Sequence, residues 1–303
     1  MSAAARVAVN PIPYWARPDG VDKRPEVFEE AFEDYRRIGI RAVKADVPDG
    51  MSAARYREWI GSYGLEPAIS TVMAPLRDED PAGGAGTDAA PAPGGADRLR
   101  RFAADQLELG NTATMVIAPM TPDRTAAPPS TRGADLDARR IEATTRGLAA
   151  VCDVLRGEGL FPALHQHVGS LVESEAETRH VLETLGAERI GFAPDSGHLA
   201  WAGADPAALV GEYADRVVGV HVKDVFPDHL GGTPTLDYHA VGATRRLWAE
   251  PGLGVVDLTA FLAALPAGFD GDIMIEVDVP SVESRYESAR MAHEWAVARL
   301  GAA

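Results

Sequence analysis

A chain of 303 residues that is 46% hydrophobic is long enough for one α/β barrel of about 250 residues with insertions, and a single domain over 1–303 is the expectation. With 45 acidic against 29 basic residues the formal charge is −16, which repels phosphate backbones and anionic membranes and argues against nucleic acid or a membrane as partner. Cys152 is the only cysteine, so no intramolecular disulfide forms; no stretch reaches the roughly 20 apolar residues of a membrane span, and Met1–Arg6 has no basic leader, so a soluble cytoplasmic protein is expected.

Arg6–Asn10 reads as a short buried strand stopped by Pro11 and Pro13, with Tyr14 and Trp15 in the following loop. Glu26–Ile38 has helical spacing, with Val27, Phe28, Ala31, Phe32 and Tyr35 on one side and Gly39 as the stop. Ile40–Ala45 is a second strand, Ser52–Tyr63 a helix capped by Ser52, and Leu65–Val72 a third strand. Residues 78–96 turn abruptly to Gly, Ala, Pro and Asp, which reads as a flexible insertion within the domain. A helix at Asp97–Leu109, a strand at Thr112–Ala118, a Pro/Thr-rich loop over Pro119–Gly133 and a helix at Leu136–Arg156 follow. Next come a strand at Leu160–Leu164, a helix at Ser174–Leu185 with the Ser174/Glu177 capping-box spacing, a strand at Arg189–Ala193 and a helix at Asp205–Tyr213. Val217–Val220, a long loop, a helix at Asp257–Leu265, a strand at Asp272–Ile275 and a helix at Val282–Leu300 complete the pattern. Eight apolar strands alternating with eight helices predict a (β/α)8 TIM barrel, since parallel strands need crossover helices. A doubly wound sheet fits less well, because Asn10-Pro-Ile-Pro stands where a G-x-G-x-x-G fingerprint would follow the first strand.

In such a barrel the C-terminal strand ends converge on one face. His165, Asp195, His221 and Glu276 fall at the ends of strands five to eight, and two imidazoles with two carboxylates suit a divalent metal: manganese first, with cobalt or zinc as alternatives. A single strand-end Asp or His would ordinarily be a helix cap or a satisfied polar group; the repetition on consecutive strands is what points to a metal.

The segments Leu164-His-Gln-His-Val-Gly169, Pro194-Asp-Ser-Gly-His-Leu199, Gly219-Val-His-Val-Lys-Asp224, Pro251-Gly-Leu-Gly254 and Gly271-Asp-Ile-Met-Ile-Glu276 resemble the sugar phosphate isomerase/epimerase superfamily, the xylose-isomerase-like TIM barrels. The resemblance implies the same four metal ligands. It also carries a departure, because most isomerases and epimerases of that superfamily place a glutamate where this chain has His165. The His-Gln-His-Val-Gly context looks more like inosose dehydratases and the α-subunits of C-glycoside deglycosidases, which are lyases. The resemblance therefore implies proton abstraction beside a carbonyl followed by β-elimination on an oxo-sugar, oxo-glycoside or oxo-cyclitol. The alternatives are a sugar isomerase or epimerase, and a catalytically silent barrel acting as a partner subunit.

His167 is the preferred base, with His198 and Lys223 as the other candidates; Lys223 also suits a developing oxyanion, and Glu276 a proton donor to the leaving group. Tyr14, Trp15 and Trp201 are expected to pack against a sugar, unless they plug the barrel mouth. Lys44 and Asp46 are expected to bind hydroxyls, or to pair with each other. Asp237 and His239 lie in the long seventh loop, where they would cap the site. An Asp-x-His pair there also resembles the zinc AP endonucleases, but strands three and four end in Ser70–Met73 and Ala118–Met120, without the histidines that such a site needs. A homo-oligomer is expected, joined by a small second subunit in the deglycosidase branch.

Overall fold

The computed structural model describes residues 5–17, 20–76, 91–130, 136–231 and 234–300. Gly219–Val222, Asp272–Ile275, Arg6–Val9, Ala42–Lys44 and Glu66–Ala68 pair in that order as one parallel run. Thr71–Met73, Ala113–Ile117, Phe161–Leu164 and Gly191–Phe192 form a second. The third strand passes from one run to the other through Ile69 and Ser70, and isolated parallel bridges from Phe192 to Val217 and from Asp195 to His221 join the sixth strand to the seventh. The ring is thereby closed as a TIM barrel. Strands such as Gly219–Val222 and Asp272–Ile275 are buried at every position, as expected where helices cover one face and barrel neighbours the other.

The barrel axis is filled by small residues around a few larger ones: Ala8, Ala42, Ala68, Ala163 and Ala193 against Ile69, Met115 and Met274. A Cβ on Gly219 would come within 3.3 Å of Met115 and 3.4 Å of Ile69, so the glycine makes room for the two long side chains. The helix Pro25–Ile38 buries the five residues that its spacing predicts and stops at Gly39, whose φ of 95° suits glycine. Ser52 caps Ala53–Ser62, and Ser174 with Glu177 forms the expected capping box on Glu175–Leu185.

Three expectations are corrected. The third strand is interrupted, because the Ile69 amide leaves the ladder to donate to Asp272 Oδ2 across the barrel floor at 2.6 Å, and Pro67 has no amide to offer. Asp272 is held there by Arg6 Nε at 2.7 Å. Three short helices, Pro122–Thr125, Ser196–Ala202 and Tyr238–Ala243, stand where only loop or turn was expected. The turn placing Tyr14 and Trp15 is itself helical, Ile12–Trp15. Of the insertion expected at 78–96, residues 78–90 lie outside the described residues, and Gly95 and Ala96 already belong to the helix Gly95–Glu108. Among the described residues no helix is long and apolar enough to cross a membrane.

Candidate metal centre

His165, Asp195, His221 and Glu276 meet at the C-terminal ends of strands five to eight, all nearly inaccessible to solvent. One ligand atom each from His165, Asp195 and His221 lie within 4.8 Å of one another. Asp195 Oδ2 is 4.0 Å from His165 Nε2 and 3.6 Å from His221 Nδ1, and Glu276 Oε2 is in contact with the same His221 nitrogen. The remaining atoms of the set are tied back. His165 Nδ1 donates to the Ala193 carbonyl at 2.8 Å, Asp195 Oδ1 accepts from the His198 amide at 2.8 Å, and Glu276 Oε1 accepts from Asn10 Nδ2 at 3.0 Å. Asp195 Oδ2, both His221 nitrogens and Glu276 Oε2 are buried without a hydrogen bond. Buried polar atoms without partners are costly, and a mixed N/O set pointing its free lone pairs at one spot fits a divalent cation. The outer tethers are of the kind that fix metal ligands.

Electrostatics agree with that fit. Burial, helped by His221, pulls His165 down to about 3, so it is neutral with its lone pair on Nε2. Burial pushes Asp195 and Glu276 upward, but Lys223 and His221 outweigh it and both carboxylates stay ionised. His221 would be lowered by burial, yet Glu276 and Asp195 raise it; a spot between two carboxylates that attracts a proton attracts a divalent cation for the same reason.

Lys223 is 1% exposed and is not a solvated loop lysine. Its ammonium donates to Asp278 Oδ1 at 2.9 Å, lies 3.5 Å from Asp195 Oδ2 and 3.6 Å from Glu276 Oε1, and sits 4.5 Å over the Trp248 ring. Burial lowers its pKa, but the three carboxylates raise it well above the usual value, so it keeps its proton. The stem runs over Gly197, where a Cβ would meet Lys223 Cγ at 2.7 Å. His198 is fully buried; it accepts from the Val168 amide at 3.3 Å and stacks at 3.8 Å on His167. Named from sequence as an alternative base, it is thus enclosed, with Nδ1 taken by Val168 and Nε2 3.3 Å from the Lys223 ammonium. His167 is half-buried, donates from Nδ1 to the Val168 carbonyl at 2.8 Å, and is lowered to about 4 by burial and then by Lys223.

The remaining sequence candidates divide into two groups. Lys44 pairs with Asp46 at 3.0 Å, and Trp15 lies beside them, 6.0 Å from Lys44 Nζ and 4.7 Å from Lys23 Nζ. Burial raises the Asp46 carboxyl, and Lys44 and Lys23 overcome it, so it stays ionised. Tyr14 is instead a core residue whose hydroxyl donates to Asp34 at 2.8 Å, and Trp201 packs in the apolar cluster of Val168, Val225 and Trp248. Asp237 and His239 are exposed, the carboxylate being used to cap the helix Tyr238–Ala243; it is Tyr238 that reaches inward, 5.7 Å from the His167 ring. Asn10, Trp248 and Asp278 escaped the sequence reading. Asp278 follows Glu276 by two residues, in the bend after the eighth strand, and only the fold turns it toward Lys223. Burial, with the Glu276 charge, pushes the Asp278 carboxyl up to about 7 against the opposing pull of Lys223.

Residues 32–298 match the sequence profile of the xylose isomerase-like TIM barrel, and the chain belongs to that family. Among curated proteins it is similar to the rhizopine catabolism protein MocC of Rhizobium meliloti, 34% identical over 165 residues that make up 54% of this chain and 50% of that protein. It is also similar to the inosose dehydratase of Geobacillus kaustophilus, 30% identical over 158 residues, 51% of each. The chain thus spans about half the length of the curated relatives it matches. Of solved structures, the IolI protein with a bound zinc atom has a TM-score of 0.69 at 15% identity, covering 97% of this chain and 98% of that one. An L-ribulose 3-epimerase has 0.67 at 18%, covering 98% and 94%. At these identities the structural likeness speaks for the fold.

Proposed function

We propose that the chain is a divalent-metal-dependent lyase acting on an oxo-sugar, oxo-glycoside or oxo-cyclitol by proton abstraction beside a carbonyl and β-elimination. The observation that carries this reading is the placement of one neutral imidazole and one fixed ammonium beside the His165–Asp195–His221–Glu276 cluster. An elimination needs one base and one source of positive charge, and the site offers both on the same face. The similarity to inosose dehydratases supports the same choice.

His165, Asp195, His221 and Glu276 would hold the cation, with manganese as the first choice and cobalt or zinc as alternatives. Once bound it would polarise the substrate carbonyl and ease loss of the neighbouring proton. His167, with Nδ1–H committed to Val168, accepts that proton at Nε2. Lys223 keeps its charge and meets the negative charge that develops on the carbonyl oxygen. It is therefore not a base, and Glu276, held ionised, serves as a ligand instead of the proton donor named from sequence; His167, protonated by the first step, passes that proton to the leaving group. Trp15, Lys44 and Asp46 bind the far side of the substrate. A homo-oligomer belongs to the same reading, with a small second subunit if a carbon–glycoside bond is cleaved; light scattering and co-purification test both.

The discriminating experiment is incubation with oxo-inositols and 3-oxo-glycosides in D₂O with added Mn²⁺. Loss of water or aglycone is expected. Deuterium incorporation without any loss would instead make the protein an isomerase or epimerase, a reading kept open by the fold it shares with L-ribulose 3-epimerase.

A further inference from the structure

The Lys223 ammonium has three carboxylates around it, and only one of them is outside the metal set. Asp278 is the nearest, at 2.9 Å, against 3.5 Å for Asp195 Oδ2 and 3.6 Å for Glu276 Oε1. Asp195 Oδ2 is the unbonded oxygen that turns toward His165 and His221, so the ammonium and a bound cation compete for one atom. The lysine cannot withdraw. Its stem lies against Gly197, so close that an added Cβ would fall 2.7–3.0 Å from Cγ, Cβ and Cδ, and the ammonium is covered by the Trp248 ring at 4.5 Å. The ammonium therefore sits between Asp278 and the metal carboxylates, with His198 Nε2 also 3.3 Å away.

We propose that Asp278 is a positioning residue that draws the Lys223 ammonium aside and so leaves Asp195 and Glu276 free to hold a divalent cation. The inference rests on the metal-centre reading above. Its charge logic is simple: three carboxylates balance one ammonium and one divalent cation, whereas an ammonium released onto Asp195 and Glu276 offsets one of the two negative charges that would hold the cation. Asp278 thus acts on the metal through Lys223, and removing Lys223 should make Asp278 dispensable.

The test is Zn²⁺ and Mn²⁺ binding to the full chain at pH 8, measured by competition with a chromophoric chelator for wild type, Asp278→Asn, Lys223→Met and the double variant. Wild type is expected to bind one equivalent, Asp278→Asn to weaken it about tenfold and Lys223→Met to tighten it about tenfold, within the range that residues supporting metal ligands command. In the Lys223→Met background, Asp278→Asn should change affinity less than about twofold, the mark of a pair that acts as a unit. Equal weakening in both backgrounds would overturn the tether, because it would mean that Asp278 acts on the cation directly. Unchanged affinity in Lys223→Met would overturn it as well, and that variant alone decides the matter if circular dichroism shows Asp278→Asn to be unfolded. Failure of wild type to bind an equivalent would instead sink the metal-centre reading beneath it.

Discussion

His165 donates from Nδ1 to the carbonyl of Ala193, two residues before Asp195, so the fifth strand's ligand is oriented by the sixth strand that supplies the next one. The hydrogen bond fixes the tautomer and leaves the Nε2 lone pair free, as second contacts to a ligating histidine do. The four donors are therefore held by the barrel itself, and the consequences of disturbing their surroundings can be stated one at a time.

Gly197→Ala places a methyl 2.7 Å from Lys223 Cγ and 2.9 Å from its Cβ, at a helical position where the backbone itself tolerates alanine. The cost is steric, so stability should fall by about 1–3 kcal/mol, the usual penalty for overpacking. Because the atom that must move is on Lys223, kcat should fall by more than the fold loses. Urea titration and steady-state kinetics read the two effects separately; unchanged kcat would show that Lys223 has room to spare.

Arg124, 2% exposed, bridges Glu173 at 3.2 Å and Glu177 at 2.6 Å, while Glu173 also accepts from the Gly169 amide at 2.8 Å. This network pins the loop that carries His167 to the helix Glu175–Leu185. Arg124→Ala removes the buried cation that bridges these two acids, and the expected loss is about 3–5 kcal/mol. A shift below about 1 kcal/mol in urea denaturation would mean that water reaches these acids and the loop is not clamped as described.

Stability should decline in acid partly through His167. Burial first and Lys223 second hold its pKa at about 4 against an ordinary 6.5, so between those values the unfolded chain binds more protons than the folded one. Its contribution is complete above pH 6.5 and is lost as the pH falls through 4. In metal-free protein, His167→Asn should therefore lose stability less steeply over that window than wild type does. Superimposable profiles would show that the ring is as free in the folded protein as in the unfolded one.

Much of this was legible in the residues. The strand–helix alternation specified the barrel because buried parallel strands and amphipathic helices have different periods, and the eighth strand, Asp272–Ile275, falls where it was expected. That His165, Asp195, His221 and Glu276 would meet was legible because each ends an apolar run. What escaped depends on contacts distant in sequence. The break in the third strand is made by Asp272, 203 residues away from Ile69, and the burial of Lys223 is made by Gly197, Trp248 and Asp278. The helix Ser196–Ala202 escaped because a seven-residue segment with glycine in second place shows little periodicity; its cap is Asp195, whose Oδ1 is taken by the His198 amide while Oδ2 turns toward His165 and His221. Tyr14 and Trp201 show the converse: aromatic residues beside a strand end are as suited to filling the barrel's outer core as to lining its mouth.

The account stands most directly on metal content. Wild-type protein saturated with Mn²⁺ or Zn²⁺ and then freed of excess should retain one equivalent by elemental analysis, and His221→Ala, which removes the imidazole that lies against both Asp195 and Glu276, should retain almost none while still folding. Wild type that keeps no metal, or His221→Ala that keeps as much as wild type, would contradict it.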